Sequence, residues 1–375
     1  MTAPSRATRT TRLGDLAGMM LAGAIVTSAA LSGCAAQPAS GAGTQPDAPA
    51  AEATGTPAEE LRLGYFANVT HAPALVGLEE GLFEEALGDT TLSTQVFNAG
   101  PAAIEALSAG AIDATYIGPN PAINTYVASG GQSARIIAGA TSGGAALVVQ
   151  PGIDDPSDLD GANLATPQLG NTQDVALRTW LAEEGYETTT SGGGDVTISP
   201  TENSQTLTLF QAGDLDGAWL PEPWVSRLVV DAGADVLVDE ADLWEDGEFP
   251  TTVLLVRAEF LAEHPETVRA LIAGHVASVE WLDAHEAEAA DVINARLTAD
   301  AGKGLSDAVI DRALEHVDFT FDPHAETFEQ LLEDGIDAGT SKSGDIEGLF
   351  DLTALNAVLA EHDEEPVSAG GLGLE

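Results

Sequence analysis

The fold is decided by Ala109-Gly110-Ala111-Ile112-Asp113-Ala114-Thr115-Tyr116-Ile117-Gly118-Pro119-Asn120-Pro121. A helical period ends at the glycine, a short apolar strand follows, and a proline-rich loop begins the next helix. When the sequence is aligned with itself at an offset of 103 residues, the first five of these residues match Ala212-Gly213-Asp214-Leu215-Asp216, and Tyr116 matches Trp219. One helix-glycine-strand unit in each half of the chain predicts two similar lobes.

Short apolar runs alternate with helical periods from Leu61 onward, a pattern typical of βα units around a largely parallel sheet. The predicted strands are 61–66, 94–97, 112–117 and 135–138 in a first set, and 163–165, 196–199, 215–219 and 235–238 in a second set. The β-rich stretches 147–150 and 251–256 lie just before and just after the second set. We therefore expect them to carry the chain between the lobes.

These patterns predict an α/β protein of two lobes, each a largely parallel sheet flanked by helices, with a ligand cleft between them. Lobe 1 is expected to be discontinuous, with residues 60–145 and 250–363 including a set of C-terminal packing helices. Lobe 2 is expected to span residues 146–249, and residues 364–375 are expected to form a disordered tail.

Residues 1–33 have the pattern of a bacterial lipoprotein signal peptide. Arg6, Arg9 and Arg12 precede an apolar stretch, residues 16–31, which is too short and too glycine-rich for a membrane span. It ends in Leu31-Ser32-Gly33-Cys34, which is similar to the lipobox, and Cys34 is the only cysteine of the chain. We expect lipid on Cys34 and a flexible tether over residues 34–59, so that the protein is anchored to the outer face of the cell membrane. An ordinary signal peptide with a chance cysteine is the alternative.

The charge balance is strongly acidic, with 13 Lys and Arg against 60 Asp and Glu and a formal net charge of -47. Nucleic acid and anionic lipid are therefore poor partners. Salt screens such self-repulsion, so we interpret the excess as adaptation to salt and expect marked destabilisation at low ionic strength. A single cysteine excludes an intrachain disulfide and any multi-cysteine metal site. No cofactor and no metal are expected.

Five loops follow predicted strands and begin predicted helices with proline or a capping residue: 70–73, 99–101, 118–121, 166–172 and 222–223. Helix starts favour an anion or a polar oxygen, and parallel sheets bind ligands at the carboxyl ends of their strands. The candidate ligand-binding residues at these ends and at the first crossing are Tyr65, Asn68, Thr70, His71, Gly100, Pro101, Gly118, Asn120, Ser142, Gly143, Gln168, Asn171, Thr172, Trp219 and Glu222.

Several of these residues have a second interpretation. Tyr65 and Trp219 suit the core as well as a cleft wall, and the glycines after Ser142 suit a plain hinge or turn. No Arg or Lys lies in the five loops, so an anion would rest on backbone N–H groups and helix ends. Glu222 could meet a ligand ammonium group or cap its own helix.

The segments 64–73, 97–101, 116–121, 166–172 and 221–224, in that order, resemble the nitrate/sulfonate/taurine (aliphatic sulfonate) branch of ABC transporter substrate-binding proteins. The resemblance runs from about residue 61 to residue 340. It implies a type II periplasmic-binding-protein fold, a hinge between lobes, and an ABC permease and its ATPase as partners. We expect the chain to be monomeric. Relatives of this branch serve nitrate, bicarbonate, sulfonates and heterocyclic vitamin precursors.

Two other function classes remain open at this stage. An enzyme of the same fold is one, because some relatives make a pyrimidine vitamin precursor. The chain has no Gly-x-Ser-x-Gly elbow, phosphate loop or metal-spaced His pair, so it is not expected to be an enzyme. The aspartates at 154, 155, 158 and 160 do not have EF-hand spacing. The other class is a surface lipoprotein that senses ligand without transport.

Overall fold

The computed structural model describes residues 55–375, and the predictions on the signal peptide and on Cys34 lie outside these residues. Strands of the described part are β1 (Glu60–Phe66), β2 (Thr91–Phe97), β3 (Ala114–Ile117), β4 (Ala134–Gly143), β5 (Ala145–Val149), β6 (Asn163–Thr166), β7 (Thr197–Pro200), β8 (Gly217–Pro221), β9 (Asp235–Asp239), β10 (Pro250–Arg257), β11 (Val317–Phe319), β12 (Phe350–Asp351) and β13 (Gly373–Leu374). Helices are α1 (Ala72–Glu79), α2 (Leu82–Leu87), α3 (Gly100–Ser108), α4 (Pro119–Ser129), α5 (Thr172–Glu183), α6 (Asn203–Ala212), α7 (Trp224–Ala232), α8 (Ala258–Glu263), α9 (Pro265–Ala284), α10 (Glu286–Ala301), α11 (Asp307–Leu314), α12 (Phe328–Asp337) and α13 (Thr353–Glu361).

Two sheets form the centres of two lobes. The first has the order β13-β12-β4-β10-β3-β1-β2, with β11 also paired to β4, and the second has the order β7-β6-β8-β5-β9. The predicted parallel pairing is found for β1 with β2 and β3, and for β6 with β7 and β8. Each sheet is mixed, however, because β10 and β5, the strands that arrive from the other lobe, run antiparallel to both of their neighbours. The predicted two-lobed α/β fold is confirmed.

The chain passes between the lobes twice. The first crossing joins β4 to β5 through Gly143 and Gly144, whose φ angles of 73° and 74° are left-handed. A Cβ on Gly144 would lie 2.4 Å from a methyl group of Val317, so a side chain has no room there. The second crossing runs from β9 through two short 3₁₀ turns to β10. The stretches predicted to carry the chain across, 147–150 and 251–256, coincide with β5 and β10, and each crossing lies just before the strand.

The internal repeat has the same structural role in each lobe. Asp113 and Asp216 precede β3 and β8, and their carboxylates accept the backbone N–H of Arg62 (3.0 Å) and Asn163 (2.8 Å) in the adjacent parallel strands. The glycines of the two copies, Gly110 and Gly213, both have positive φ and follow the preceding helix. Each unit therefore fixes the start of a central strand against its neighbour.

Replacing the two repeat aspartates should have unequal costs. Asp113 also pairs with the guanidinium groups of Arg62 (2.6 Å) and Arg257 (3.0 Å), and its side chain is 1% exposed. Burial opposes its charge, but hydrogen bonds from both arginines leave its pKa below the ordinary value. We expect Asp113→Ala to lower the free energy of unfolding by about 3 kcal/mol, because it breaks a buried ion-pair network. Asp216→Ala should lower it by about 1 kcal/mol. Urea unfolding of both variants measures this, and equal costs would contradict it.

The two ends of the described chain differ from expectation. Residues 364–375 are not a disordered tail: Ala369 is buried, and β13 pairs with β12 through Gly373 and Phe350. The tether also ends before residue 59, because the backbone N–H of Ala58 donates to Thr267 Oγ1 at 2.8 Å and Ala58 packs in the core. Contacts with residues more than 20 positions away order both segments. Within residues 55–375 no helix is long and apolar enough to cross a membrane.

Candidate functional site

A small cavity lies between the two lobes, and four of the five loops singled out in the sequence contribute to it. Near the fifth loop, only Pro221, the residue before Glu222, lines the cavity. Its free volume is about 30 Å³. The lining residues are Phe66, Asn68, Thr70, His71, Asn98, Ala99, Gly100, Gly118, Pro121, Pro167, Asn171, Thr172, Gln173, Asn203, Pro221, Thr251 and Thr252. We call this space the central cavity.

Five helices begin at the central cavity. Lobe 1 supplies α1, α3 and α4, and lobe 2 supplies α5 and α6. Proline stands in the first two positions of α1, α3 and α4, where its missing N–H costs nothing, so these three helices contribute mainly their dipole ends. The first turns of α5 and α6 contain no proline and present free backbone N–H groups. Five helix starts at one cavity favour an anion or a polar oxygen there without a charged side chain.

A buried ion pair holds the loop that begins α5. Asp174 accepts hydrogen bonds from Thr166 Oγ1 (2.8 Å) and from the N–H of Gly170 (2.9 Å). Arg178 pairs with the same carboxylate at 2.9 Å, and both side chains are almost fully buried. The pair is neutral as a unit, so it shapes the loop without adding net charge to the cavity. Neither residue was singled out in the sequence.

Asn171 is the N-cap of α5. Its Oδ1 accepts the backbone N–H of Asp174 at 3.0 Å, and its Nδ2 donates to Gln173 Oε1 at 2.9 Å. The second bond turns the Gln173 carbonyl inward to Asn171, which leaves the Gln173 Nε2 donor free for another partner. Asn171 and Gln173 thus form one neutral polar wall of the central cavity.

His71 is a neutral donor at this site. Its Nδ1 accepts the backbone N–H of Phe66 at 3.3 Å, which assigns the proton to Nε2. The ring lies 4.4 Å from the ring of Phe66, between centroids, and complete burial lowers the pKa of His71 to about 3. The imidazole therefore stays uncharged throughout the physiological pH range.

Three buried polar atoms around the central cavity have no hydrogen-bond partner among residues 55–375: Thr172 Oγ1, Asn203 Oδ1 and Thr252 Oγ1. Buried polar groups are almost always paired in folded proteins, so a group of three at one cavity indicates a place prepared for a polar ligand. Threonine hydroxyls donate to an oxyanion, and an asparagine amide does so after a flip of its planar group.

The lobes are in contact across the cleft. Trp224 Nε1 donates to Asn68 Oδ1 (2.9 Å), and Asn98 Nδ2 donates to Glu202 Oε1 (3.3 Å), each joining one lobe to the other. Gly118 of lobe 1 lies against Thr172 of lobe 2, where a Cβ on the glycine would be 2.4 Å from Thr172 Oγ1. The two lobes are therefore in direct contact around the central cavity.

The structure places the sequence candidates in three groups. Those that line the central cavity are Asn68, Thr70, His71, Gly100, Gly118, Asn171 and Thr172. Three candidates lie at its margin: Pro101 lines a groove beside α3 and α4, Gln168 lies on the outer rim, and Asn120 lines a neighbouring cavity. Ser142 and Gly143 lie at the first crossing. Ser142 bonds to the Phe249 backbone, and the carbonyl of Gly143 accepts from Thr251 Oγ1, so both brace the two crossings.

Tyr65 and Trp219 do not wall the cavity. Both side chains are fully buried in the cores of their lobes. The hydroxyl of Tyr65 donates to Asp300 Oδ2 (2.8 Å), and Trp219 Nε1 donates to Glu240 Oε2 (2.7 Å). Side chains of a β-strand point to the faces of the sheet, and these two point into the packed core of their lobes. The core interpretation is the one that the structure supports.

Glu222 caps its own helix. Its Oε2 accepts the N–H of Ser226 (3.0 Å), and its Oε1 accepts from the hydroxyl of Ser226 (2.9 Å) and from Arg312 Nη1 (3.1 Å). Burial raises the pKa of Glu222 to about 7, against the opposing effect of these bonds. Since Glu222 does not line the central cavity, it is not placed to meet a ligand ammonium group there.

The sequence did not indicate Gln173, Asn203, Thr251 and Thr252, which also line the cavity. The repeat carries a signal for one of them: an offset of 103 residues places Gly100 on Asn203, and these two residues begin α3 and α6. Thr251 and Thr252 belong to β10, the strand that returns from the other lobe, and the sequence pattern marks it only as apolar.

Two α/β lobes joined by two crossings, with a cavity between them, form the two-lobed type II periplasmic-binding-protein fold. The chain belongs to the NMT1-like family, whose model matches residues 54–297. The resemblance predicted from the five loops is thereby confirmed.

Three of the similar proteins are named as binding proteins. The chain is 26% identical over 366 residues to the putative aliphatic sulfonates-binding protein of Bacillus subtilis, covering 91% of this chain and 95% of that protein. It is 28% identical over 204 residues to the taurine-binding periplasmic protein of Escherichia coli, covering 53% and 59%. The crystal structure of the periplasmic nitrate-binding protein of Synechocystis PCC 6803 superposes with a TM-score of 0.69 at 15% identity, covering 81% and 89%.

Proposed function

We propose that the protein is the extracytoplasmic solute-binding component of an ABC importer, and that its ligand is a small oxyanion or a molecule with a sulfonate head. The observation that carries the proposal is the convergence of five helix starts, and of three polar atoms without a partner among the described residues, on one cavity between the lobes. Helix N-termini bind anions through free N–H groups and the helix dipole.

The size and neutrality of the central cavity support a small ligand head. A free volume of about 30 Å³ holds a few atoms in the closed form. No Lys or Arg lines the cavity, and His71 is neutral, so the oxygens of the ligand would be met by threonine hydroxyls, asparagine and glutamine amides and the Nε2–H of His71. Binding by neutral donors leaves the anion easy to release once the lobes separate.

Closure of the lobes is the proposed capture step. Thr172 and Asn203 belong to lobe 2, whereas His71, Gly118 and Thr252 belong to lobe 1, so only the closed form presents all of their groups at once. A ligand that binds the closed form more tightly shifts the population toward it. The closed form would then dock on the permease, and lipid on Cys34 would keep the protein at the membrane.

Thermal unfolding with a panel of solutes tests this function. The panel is nitrate, bicarbonate, taurine, methanesulfonate, ethanesulfonate and a pyrimidine, each added in concentrated potassium chloride so that the charge of -47 is screened. A ligand that binds only the folded chain stabilises it by about 2.7 kcal/mol at 100 times Kd. We expect at least one oxyanion or sulfonate to raise the melting temperature. Stabilisation by the pyrimidine alone would contradict an anion site and favour a vitamin-precursor binder.

A further inference from the structure

A second chamber lies between the lobes, next to the central cavity, and is much larger at about 280 Å³. Thr172 lines both spaces. The walls are α5 and residues 240–244 of lobe 2, and α4 and α12 of lobe 1. We call this space the side chamber, and its lining residues are Asn120, Thr172, Val175, Ala176, Thr179, Trp180, Glu183, Glu240, Leu243, Trp244, Gln330, Leu331 and Asp334.

The charged groups of the side chamber are all acids. Glu183, Glu240 and Asp334 line it, and no Lys, Arg or His does. In the part of the chain that the structure describes, no group of three His, Cys, Asp or Glu side chains is close enough to hold a metal ion. The chamber therefore suits a cation that is larger than a metal ion and whose charge is spread over several atoms.

Two tryptophans add an aromatic wall. Trp180 is almost fully buried and lies on α5, and Trp244 is half-buried on the segment that follows Glu240. The faces of tryptophan rings attract organic cations, and together with apolar neighbours such as Val175 and Leu331 they favour an ammonium group that carries methyl or methylene groups. A strongly hydrated inorganic cation gains less from such a surface.

Asn120 supplies an independent observation. Its side chain is fully buried and lines the chamber, and its Nδ2 donates to the carbonyl of Leu331 at 3.0 Å. That bond fixes the orientation of the amide and leaves Oδ1 without a partner among the described residues. A carbonyl oxygen accepts and cannot donate, so the missing partner is a hydrogen-bond donor or a positive group.

We propose that the side chamber binds an organic ammonium group, with Glu240 as its counter-ion and Trp180 and Trp244 as its walls. The assignment does not depend on the proposed anion site, because it rests on Glu240, Asn120 and the two tryptophans. The ammonium group belongs either to a separate ligand or to the far end of a ligand whose anionic head occupies the central cavity.

The ionisation of Glu240 supports this chemistry. Burial raises the pKa of Glu240 to about 7, with the hydrogen bond from Trp219 acting in the opposite direction. The titratable groups around it are also acids: Asp239 on its own segment, Glu183 on α5 and Asp334 on α12. A bound cation favours the ionised form, so binding of an ammonium ion should be tighter at pH 8, where Glu240 is largely ionised, than at pH 6.

Calorimetric titration of the full chain with tetramethylammonium tests the proposal. Glu240→Gln keeps a side-chain oxygen for Trp219 Nε1 but removes the counter-ion. We expect it to weaken tetramethylammonium binding at least tenfold, which corresponds to about 1.4 kcal/mol. Asp283→Asn is the matched control, because it also removes one negative charge but lies outside the side chamber, in a separate surface groove. We expect its affinity to equal that of the wild type, and the pH dependence to shrink only in Glu240→Gln.

Three further titrations identify the source of the ammonium group: methanesulfonate alone, tetramethylammonium alone and a trimethylammonio-propanesulfonate that carries both groups. If the two groups belong to one ligand, the joined molecule binds more tightly than either part, and Glu240→Gln weakens it without affecting methanesulfonate. If the ligands are separate, the two parts bind together and the joined molecule has no advantage. Absence of tetramethylammonium binding, or equal weakening by Asp283→Asn, would overturn the proposal.

Discussion

Asn171→Asp should abolish capture of the anionic ligand. Asn171 lines the central cavity at the start of α5, and the substitution places a carboxylate there that is close to the anion. Two like charges about 4 Å apart at an effective dielectric constant of about 20 repel by about 4 kcal/mol, which corresponds to a loss of affinity on the order of 1,000-fold. The new side chain still accepts the N–H of Asp174, because aspartate and asparagine are equally good N-caps.

The matched control is Asn171→Ser, which keeps an N-cap oxygen and adds no charge. Titration of both variants with the solute that stabilises the wild type separates the effect of charge from that of shape. We expect the serine variant to lose less than about tenfold in affinity. The free energy of unfolding of both variants should stay within about 1 kcal/mol of that of the wild type. Equal affinities of the two variants, or a gain in the aspartate variant, would contradict an anion in the central cavity.

Gly118→Val should prevent the lobes from closing. A Cβ at Gly118 would lie 2.4 Å from Thr172 Oγ1 of the other lobe, so even alanine requires a shift, and valine adds two methyl groups to the same place. The φ angle of Gly118 is -70°, which any residue adopts, so the folded open form is not strained. Overpacking destabilises the closed form by about 1–3 kcal/mol and leaves the open form unaffected. This corresponds to a loss of ligand affinity of about 5- to 150-fold.

The double variant Gly118→Ala with Thr172→Ala tests the steric cause. Removal of Thr172 Oγ1 leaves the nearest remaining atom, Thr172 Cβ, 3.4 Å from the added methyl group. Small-angle scattering with saturating ligand should show an open Gly118→Ala single variant and a closed double variant. A closed Gly118→Val variant with wild-type affinity would show that this contact is not part of closure.

The two lobes could be predicted because their signals are local. A glycine that ends a helix, an apolar strand and a proline that starts the next helix lie within about 20 residues, and the copy at an offset of 103 residues repeats them. The antiparallel placement of β5 and β10 could not be predicted in the same way. It is decided by where the chain returns from the other lobe, and the apolar pattern of a central strand is the same in both directions.

The site residues that lie at helix starts could be predicted from the sequence. Those whose role is set by partners far away in the sequence could not. His71, Gly118 and Asn171 follow from the chemistry of loops and caps. Arg312, the charged partner of Glu222, lies 90 residues away, and Asp300, the partner of the Tyr65 hydroxyl, lies 235 residues away. No local pattern reports such partners, so both residues had two interpretations until the structure placed them.

A crystal structure of the protein with a bound sulfonate would show where the ligand lies, because its sulfur can be located by anomalous scattering. We expect sulfur density in the central cavity, with sulfonate oxygens within hydrogen-bonding distance of Thr172 and Asn203 and both lobes closed around the ligand. Density beside a surface arginine, with the lobes closed and no sulfonate in the central cavity, would contradict it.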